Sequence, residues 1–512
     1  MKMPKLSMVT ALELLLLGLI LALAAYLRLV NVVDTPGWYT DEGTHLAIAR
    51  GLASATETNG RFQYLAINQS TLLFAKMPLF EWLLAAVVRW RGLDMSSLRL
   101  LTGSLGVLSV GMLYGVVRLM QPNRWLALLS SLFLAIYPQA VIYSRFGFSY
   151  NLLPPLVLLQ LFGLWRYMTL DTSVRRVATH QTKRPFLLQA ALACGLGIIS
   201  DLIMLAFIAP IVVIVGYVNW RDGLWAVPLT LLPFGLYAAW MATTVPEAFW
   251  FDLGYTFSRV SGLSLFEQTL TLAQNYTVLL LGDVWMLAGF VGLFLLRPLP
   301  LRWLVLAMVG LPFVVMGRSQ ALFSLSFYYM IPLLPFVALG AAALVSYGWA
   351  QMNMDGRWWQ RAILGALVGV PLGVSTWGLV GQVEGGVQTA VSPFLLNPND
   401  ARKTAVFLNQ RITPDDVVIT SPGVAWLIEG KTADFQMAIA AEGGQVPHLP
   451  DNLPANRFRF DPRFANARYV VVDNLWRNWA VFHVPDLVEK LEKVERETAV
   501  FQAGQIQVYE IR

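Results

Sequence analysis

Residues 8–30 form a mainly apolar run of about 23 residues, long enough to cross the roughly 30 Å hydrocarbon core of a bilayer as one helix. Ten more runs of this kind follow, near 98–118, 124–143, 152–170, 186–200, 202–219, 224–242, 276–296, 301–316, 327–347 and 362–382. Helices that are apolar on every side need a bilayer or a large protein interior around them, so the expected fold class is a polytopic α-helical membrane protein with about 11 transmembrane helices. Composition agrees: 56% of the 512 residues are hydrophobic and only 13% are charged. Lys2 and Lys5 precede the first run as they would in a signal peptide, but its length marks a retained anchor.

Lysine and arginine accumulate in cytoplasmic loops. The densest basic cluster between runs is Arg166, Arg175, Arg176, Lys183 and Arg184, which places the loop between the fourth and fifth helices in the cytoplasm. Alternation then makes the amino terminus cytoplasmic, in agreement with Lys2 and Lys5, and puts residues 31–97 outside. That parity requires PLFEWLLAAVVRW, residues 78–90, not to cross. At about 13 residues it is too short for a span and is expected to be an interfacial or re-entrant helix within the large external loop.

Composition shifts near residue 385, where a Gly-, Pro- and Asn-rich stretch leads into a mixed polar chain. The expected division is a membrane domain over 1–385 and a small α/β soluble domain over 386–512, external by parity. Within the latter, ARKTAVFLNQRI reads as a helix behind an Asn399/Asp400 cap and LVEKLEKVERE as a second helix. DDVVIT, RYVVVD and IQVYEI read as strands. With no nucleophile elbow or phosphate loop in it, the domain suits a lid or an acceptor-recognition platform.

Several function classes drop out. Cys194 is the single cysteine, so neither an internal disulfide nor a thiolate metal cluster can form. The net charge of +6 lies beside apolar segments, as expected for a membrane face and not for a nucleic-acid footprint. No zinc-ligand spacing or Walker loop is present.

The polar residues worth explaining gather at one boundary. WYTDEGTHLAIAR, residues 38–50, sets Asp41, Glu42 and His45 about ten residues beyond the first run, where a carboxylate can be partly desolvated and still reach water. Adjacent helical residues do not share a face, so Asp41 and Glu42 are expected to have separate roles. Taken alone, Thr40-Asp41-Glu42 also fits a helix cap with first-turn acids complementing the dipole. His45, one turn beyond Asp41, is placed to hydrogen-bond it or simply to pack. Glu81, inside the short apolar helix, is expected to point to a cavity or to headgroups. Lys76 and Arg145 fall on the same face, as either cations for a site or interface snorkellers, and Arg318 with Tyr328 and Tyr329 adds a further cation and hydroxyls or an aromatic belt.

The order TDE, KMPL, YSRFGFSYNLL and SFYYMIPLLP, followed by an external α/β tail, resembles the GT-C glycosyltransferases, in particular the bacterial relatives of protein O-mannosyltransferases and lipid A aminoarabinose transferases. The resemblance covers roughly residues 8–350 and, in general architecture, the tail. It implies a multi-pass protein of the bacterial inner membrane that transfers a sugar from a polyprenyl-phosphate carrier to a protein, lipid or glycan acceptor at the external face, with inversion. Asp41 matches the family's catalytic aspartate, a general base on the acceptor hydroxyl, while Lys76 and Arg145 would stabilise charge developing on the phosphate. Glu42, His45, Arg318, Tyr328 and Tyr329 join them as expected substrate-binding residues.

Two positions depart from the family pattern. Where relatives often have an aspartate after the arginine motif, this chain has Tyr150 and Asn151, leaving Asn151 as the candidate contact. Where many have a lysine between spans five and six, it has Ser200-Asp201, so that Asp201 is a candidate acceptor contact or a helix cap. The family includes metal-free and metal-assisted members. No cofactor is therefore assigned, and a divalent cation remains compatible with Asp41, Glu42 and a phosphate. The reading from a different class is a transporter or flippase of lipid-linked saccharides, which would place broken helices and charges near the midplane and often repeat its halves.

Overall fold

The computed structural model describes residues 8–53, 66–67, 71–72, 77–170, 176–258, 264–316, 327–354, 358–385, 392–447, 449, 453–458 and 460–511. Helix occupies each of the eleven apolar runs. Among the described residues five helices are long and apolar enough to cross a membrane: Met8–Leu29, Met95–Met120, Leu202–Thr244, Tyr328–Met352 and Trp358–Glu384. The bent pair Arg124–Ile136 and Pro138–Arg145 makes a sixth if taken as one span. The chain is a polytopic membrane protein.

The runs that look continuous in sequence are broken by local chemistry. Helices Arg124–Ile136 and Pro138–Arg145 meet at 55°. Pro138 has no N–H to offer the carbonyl of Leu134, four residues back. The guanidinium of Arg28 takes its place, donating to the carbonyls of Leu134 and Ala135 at 2.8 Å each. Arg145 returns the service at the end of the first helix, donating to Leu27 and Val30 at 2.8 Å and to Thr35 at 3.2 Å. Carbonyls freed within a bilayer need such partners, and each arginine sits at the negative end of a helix, Arg28 at that of Arg124–Ile136 and Arg145 at that of Met8–Leu29.

The runs 202–219 and 224–242 form one segment, Ile208–Thr244, whose backbone leaves the helical region at Asn219. A Cβ on Gly223 would come 3.3 Å from Val215, so the two arms approach each other at this bend. The run 276–296 is split into Leu265–Gly282 and Val284–Leu293 by Asp283, which caps the second helix and accepts the Tyr137 hydroxyl at 2.5 Å.

Backbone-to-backbone contact holds Val284–Leu293 against Leu334–Met354. A Cβ on Gly340 would lie 1.9 Å from the Gly289 carbonyl oxygen, and one on Gly292 would lie 1.8 Å from that of Gly340. Small residues allow this approach in membranes. Gly340→Ala is therefore expected to lower the melting temperature in detergent, whereas Gly310→Ala, which meets nothing within 4 Å, leaves it unchanged. Equal melting of the two variants would show that the helices are not held at this crossing.

The C-terminal part is the expected α/β unit, built on a five-stranded sheet in the order Lys431–Ala433, Val417–Ile419, Ala467–Val472, Ile506–Glu510, Phe501–Ala503. The first three strands are parallel, and the last two form an antiparallel hairpin turning at Gly504, where φ is +56°. Val417–Ile419 is buried at every position, as a central parallel strand must be. The cap of its first helix, Pro398–Asn409, is Asn397, which accepts from the backbone of Asn399 and Asp400 and so corrects the expected Asn399/Asp400 cap.

Two large hydrophobic cores result among the described residues. One is the helix bundle. The other joins the Thr40–Ala53 and Pro78–Arg91 helices to the C-terminal sheet through Trp38, Leu46, Phe80, Leu84, Phe435 and Trp476. Pro78–Arg91 spans about 21 Å at 1.5 Å per residue, too short to cross. It buries Phe80, Leu84 and Val88 and exposes Trp82, Leu83 and Trp90, the amphipathic pattern of an interfacial helix.

Polar contacts sort into two sets at opposite ends of the bundle. Glu13, near the start of the first helix, meets Arg118 at 2.9 Å, and Asp222 accepts from Tyr167 with Arg184 3.4 Å away. Tyr26, near the end of that helix, donates to Glu384, and Asp252 pairs with Arg457 of the C-terminal domain at 2.9 Å, both buried.

Candidate active site

Asp41 is the second residue of helix Thr40–Ala53 and is exposed, whereas the next eight residues are buried. The helix is held so that this one acid stays open. Glu42 is fully enclosed and paired with Arg99 at 2.7 Å and 2.5 Å. It also accepts the backbone N–H groups of Tyr39 at 2.7 Å and Gly147 at 2.6 Å. Arg99 in turn donates to the carbonyls of Val32 at 2.9 Å and of Gly37. One buried ion pair thus gathers the 32–39 segment, the start of helix Thr40–Ala53 and the YSRFGFSYN loop. Glu42, expected to bind substrate, is a fixed anchor because four donors already occupy its oxygens.

His45 corrects a second expectation. Its Nδ1 lies 2.6 Å from Glu81 Oε1, both side chains being buried, and its ring packs edge-on to Phe80. It joins the two short helices and does not support Asp41. Glu81 is accordingly buried away from the headgroups, and among the described residues its second oxygen has no hydrogen-bond partner. Asn151 donates to the carbonyls of Tyr143, Phe146 and Phe148 at 3.0–3.3 Å, which makes it a clamp on its own loop in place of a substrate contact.

Arg145, expected as a free cation, is buried with its guanidinium directed at the three carbonyls given above. It nevertheless lines a cavity of about 360 Å³ with Tyr39, Gln139, Tyr143, Gln382 and Ser392. Asp201 caps the short turn Leu202–Phe207 by accepting the N–H of Ile203 at 3.0 Å. Lys76 and Arg318 lie outside the described residues.

An aromatic group lies near the open carboxylate. Tyr39 packs on Phe148 with ring centres 4.9 Å apart, Tyr150 stacks on Tyr328 at 5.3 Å, and Tyr329 closes on both, 4.5 Å from Tyr328 and 5.6 Å from Tyr150. Burial pushes the Tyr150 hydroxyl well above its ordinary range, with Asp201 next and Asp41 among the contributing charges. Burial does the same to Tyr39, and there Asp41 is the largest charge contribution. These hydroxyls stay protonated as donors. Asp41, Asp201 and the Tyr328-Tyr329 pair expected from sequence thus share one neighbourhood.

Sequence reasoning passed over Tyr39, Tyr150 and above all Arg99. Arg99 carries a readable signal, since a cation at the start of an apolar run must face protein or water.

Among the described residues, no group of three or more His, Cys, Asp or Glu side chains is arranged to hold a metal ion. With Glu42 saturated, Asp41 is the acid of that pair left open to a ligand.

No family model and no curated protein matches the chain by sequence. Among solved structures, the chain is similar to ArnT from Cupriavidus metallidurans bound to undecaprenyl phosphate, at 16% identity and a TM-score of 0.62 over 98% of each chain. It is also similar to the oligosaccharyltransferase AglB from Archaeoglobus fulgidus in complex with an inhibitory peptide and a dolichol-phosphate, at 12% identity and 0.59 over 92% of this chain and 70% of that one. The protein shares the fold of these two structures.

Proposed function

We propose that the protein transfers a sugar, with inversion, from a polyprenyl-phosphate carrier to an acceptor hydroxyl, with Asp41 as the general base. The observation that carries this reading is one open carboxylate at a helix start, close enough to the buried Tyr39 and Tyr150 for its charge to act on both, where the membrane bundle meets the C-terminal domain. A phosphate leaving group needs no strong acid, so one carboxylate suffices where glycoside hydrolysis generally uses two. The similar structure bound to undecaprenyl phosphate supports a carrier of that class. Lys76 and Arg318 are the cations assigned to the carrier phosphate, because Arg145 already serves the backbone.

The chain crosses a bacterial inner membrane eleven times, with the amino terminus cytoplasmic and the C-terminal domain external. The two polar sets at opposite ends of the bundle support that sidedness: Glu13 and Asp222 lie with the basic loops, Tyr26 and Asp252 with the C-terminal domain.

The test is to incubate the purified protein with a panel of polyprenyl-phosphate sugars and acceptor extracts, following the carrier by mass spectrometry. Acceptor-dependent release of monophosphate carrier is the expected result. Intact carrier moved across liposomes without release would replace the enzyme with a flippase.

A further inference from the structure

The helix that bears Asp41 is seated on the C-terminal domain. Residues Trp38 and Tyr39, just before it, pair antiparallel with Leu396 and Leu395, and the N–H of Thr40 donates to the Phe394 carbonyl at 3.0 Å. A Cβ on Gly43 would fall 1.8 Å from the carbonyl oxygen of Pro422, and one on Gly423 would meet the Cα of Thr40 at 3.6 Å. Backbone therefore lies directly on backbone. Lower on the helix Arg50 donates to the Trp426 carbonyl, and Trp426 packs on Trp38 with ring centres 5.4 Å apart. A hinged lid would not share strand pairing and a hydrophobic core with the element it covers.

The contact falls at the carboxyl ends of the three parallel strands, where α/β sheets place their functional loops. Val417–Ile419 runs into Ser421, Lys431–Ala433 into Asp434 and Ala467–Val472 into Asp473. Ser421 donates to Asp473, whose carboxylate also accepts the N–H of Leu475 at 3.0 Å, while Asp434 accepts that of Gln436 at 2.7 Å. Both carboxyl groups are buried. The ionisable neighbours of Asp434 are Asp473, at the end of the strand two places along the sheet, and Asp41 on the seated helix, and among the described residues no cation forms an ion pair with it.

We propose that the C-terminal domain positions the base, the Pro422–Gly423 turn fixing the start of the catalytic helix and Asp434 acting as a positioning residue for Asp41. This rests on the reading of Asp41 as the base. Burial, then the charges of Asp473 and Asp41, push Asp434 up to about 7. As pH rises through that value Asp434 gains a negative charge facing the start of the seated helix, and the field of that charge draws the acceptor proton towards this end of the site.

The experiment compares full-length Gly43→Ala, Gly51→Ala and Asp434→Asn with wild type in transfer from a polyprenyl-phosphate sugar. Gly43→Ala is expected to lower kcat at least about tenfold with the donor KM within about twofold, because the carrier site in the membrane half is untouched. Gly51→Ala, on the same helix with nothing within 4 Å of a new methyl group, keeps wild-type kcat. The near-isosteric Asp434→Asn keeps the fold and removes a rise in kcat near pH 7 that the wild type shows. A folded Gly43→Ala with wild-type kcat, or a wild-type pH profile in Asp434→Asn, overturns the proposal. If Gly43→Ala does not fold, the Asp434→Asn profile decides alone. Turnover in Asp41→Asn would instead remove the base assignment beneath it.

Discussion

Replacing Asp41 by asparagine is expected to abolish sugar transfer, a fall of at least about 10²–10⁴ in kcat for a lost general base. The amide keeps the shape of the side chain and its capacity to accept a hydrogen bond at the helix start, but it cannot take the acceptor proton. Asp41 is exposed, and among the described residues no hydrogen bond or ion pair holds its carboxylate. Surface substitutions of this kind change stability by about 0.5 kcal/mol or less, so insertion, detergent extraction and melting temperature stay at wild-type values. The measurement is single-turnover release of monophosphate carrier, which isolates chemistry from product release. Donor affinity is expected not to weaken, since an asparagine removes a negative charge that would repel the carrier phosphate. Near-wild-type single-turnover rates would mean that another group takes the proton.

What could be read from the chain follows the range of the forces involved. Crossing helices and the short amphipathic helix at Pro78–Arg91 are specified by local apolar length, so their positions were legible to within a few residues. Val417–Ile419 and Ala467–Val472 were legible as buried β-branched runs, whereas Lys431–Ala433 is a three-residue edge strand with no alternation to betray it. Breaks at Tyr137 and Asp283 interrupt runs that read as continuous, because hydropathy is blind to backbone hydrogen bonds, whereas the break at Asn219 falls where one apolar run ends and was legible. The site was legible as a boundary but not as a partnership. His45 was placed beside Asp41 on helical spacing, yet its partner Glu81 is 36 residues away in sequence, and Glu42 finds Arg99 across 57. Asp434 and Asp473 were invisible because a single acid after a short strand looks like any turn residue.

Arg99→Met, which keeps much of the side chain's volume, is expected to destabilise the protein strongly by leaving the Glu42 carboxylate buried without its cation. Removing one partner of a buried ion pair costs on the order of 3–5 kcal/mol, most of it the desolvation of the remaining charge. Here the damage goes further, because Arg99 also holds the carbonyls of Val32 and Gly37 while Glu42 holds the N–H groups of Tyr39 and Gly147. The segment leading to Asp41 and the loop carrying Tyr150 both lose a fixed point, so kcat falls together with thermal stability. Adding Glu42→Gln to Arg99→Met removes the stranded charge while retaining an oxygen for a backbone donor. The double variant is therefore expected to melt above the Arg99→Met single variant, the non-additivity that marks two residues acting on each other. Glu42→Gln alone separates the anchor from a substrate contact: an anchor loses melting temperature first, whereas a contact raises KM in a protein of unchanged stability. Thermal unfolding followed by tryptophan fluorescence in detergent, alongside steady-state transfer, reads both. An Arg99→Met protein that melts with the wild type would show that the pair does not hold the site, and the open geometry of Asp41 would then need a different cause.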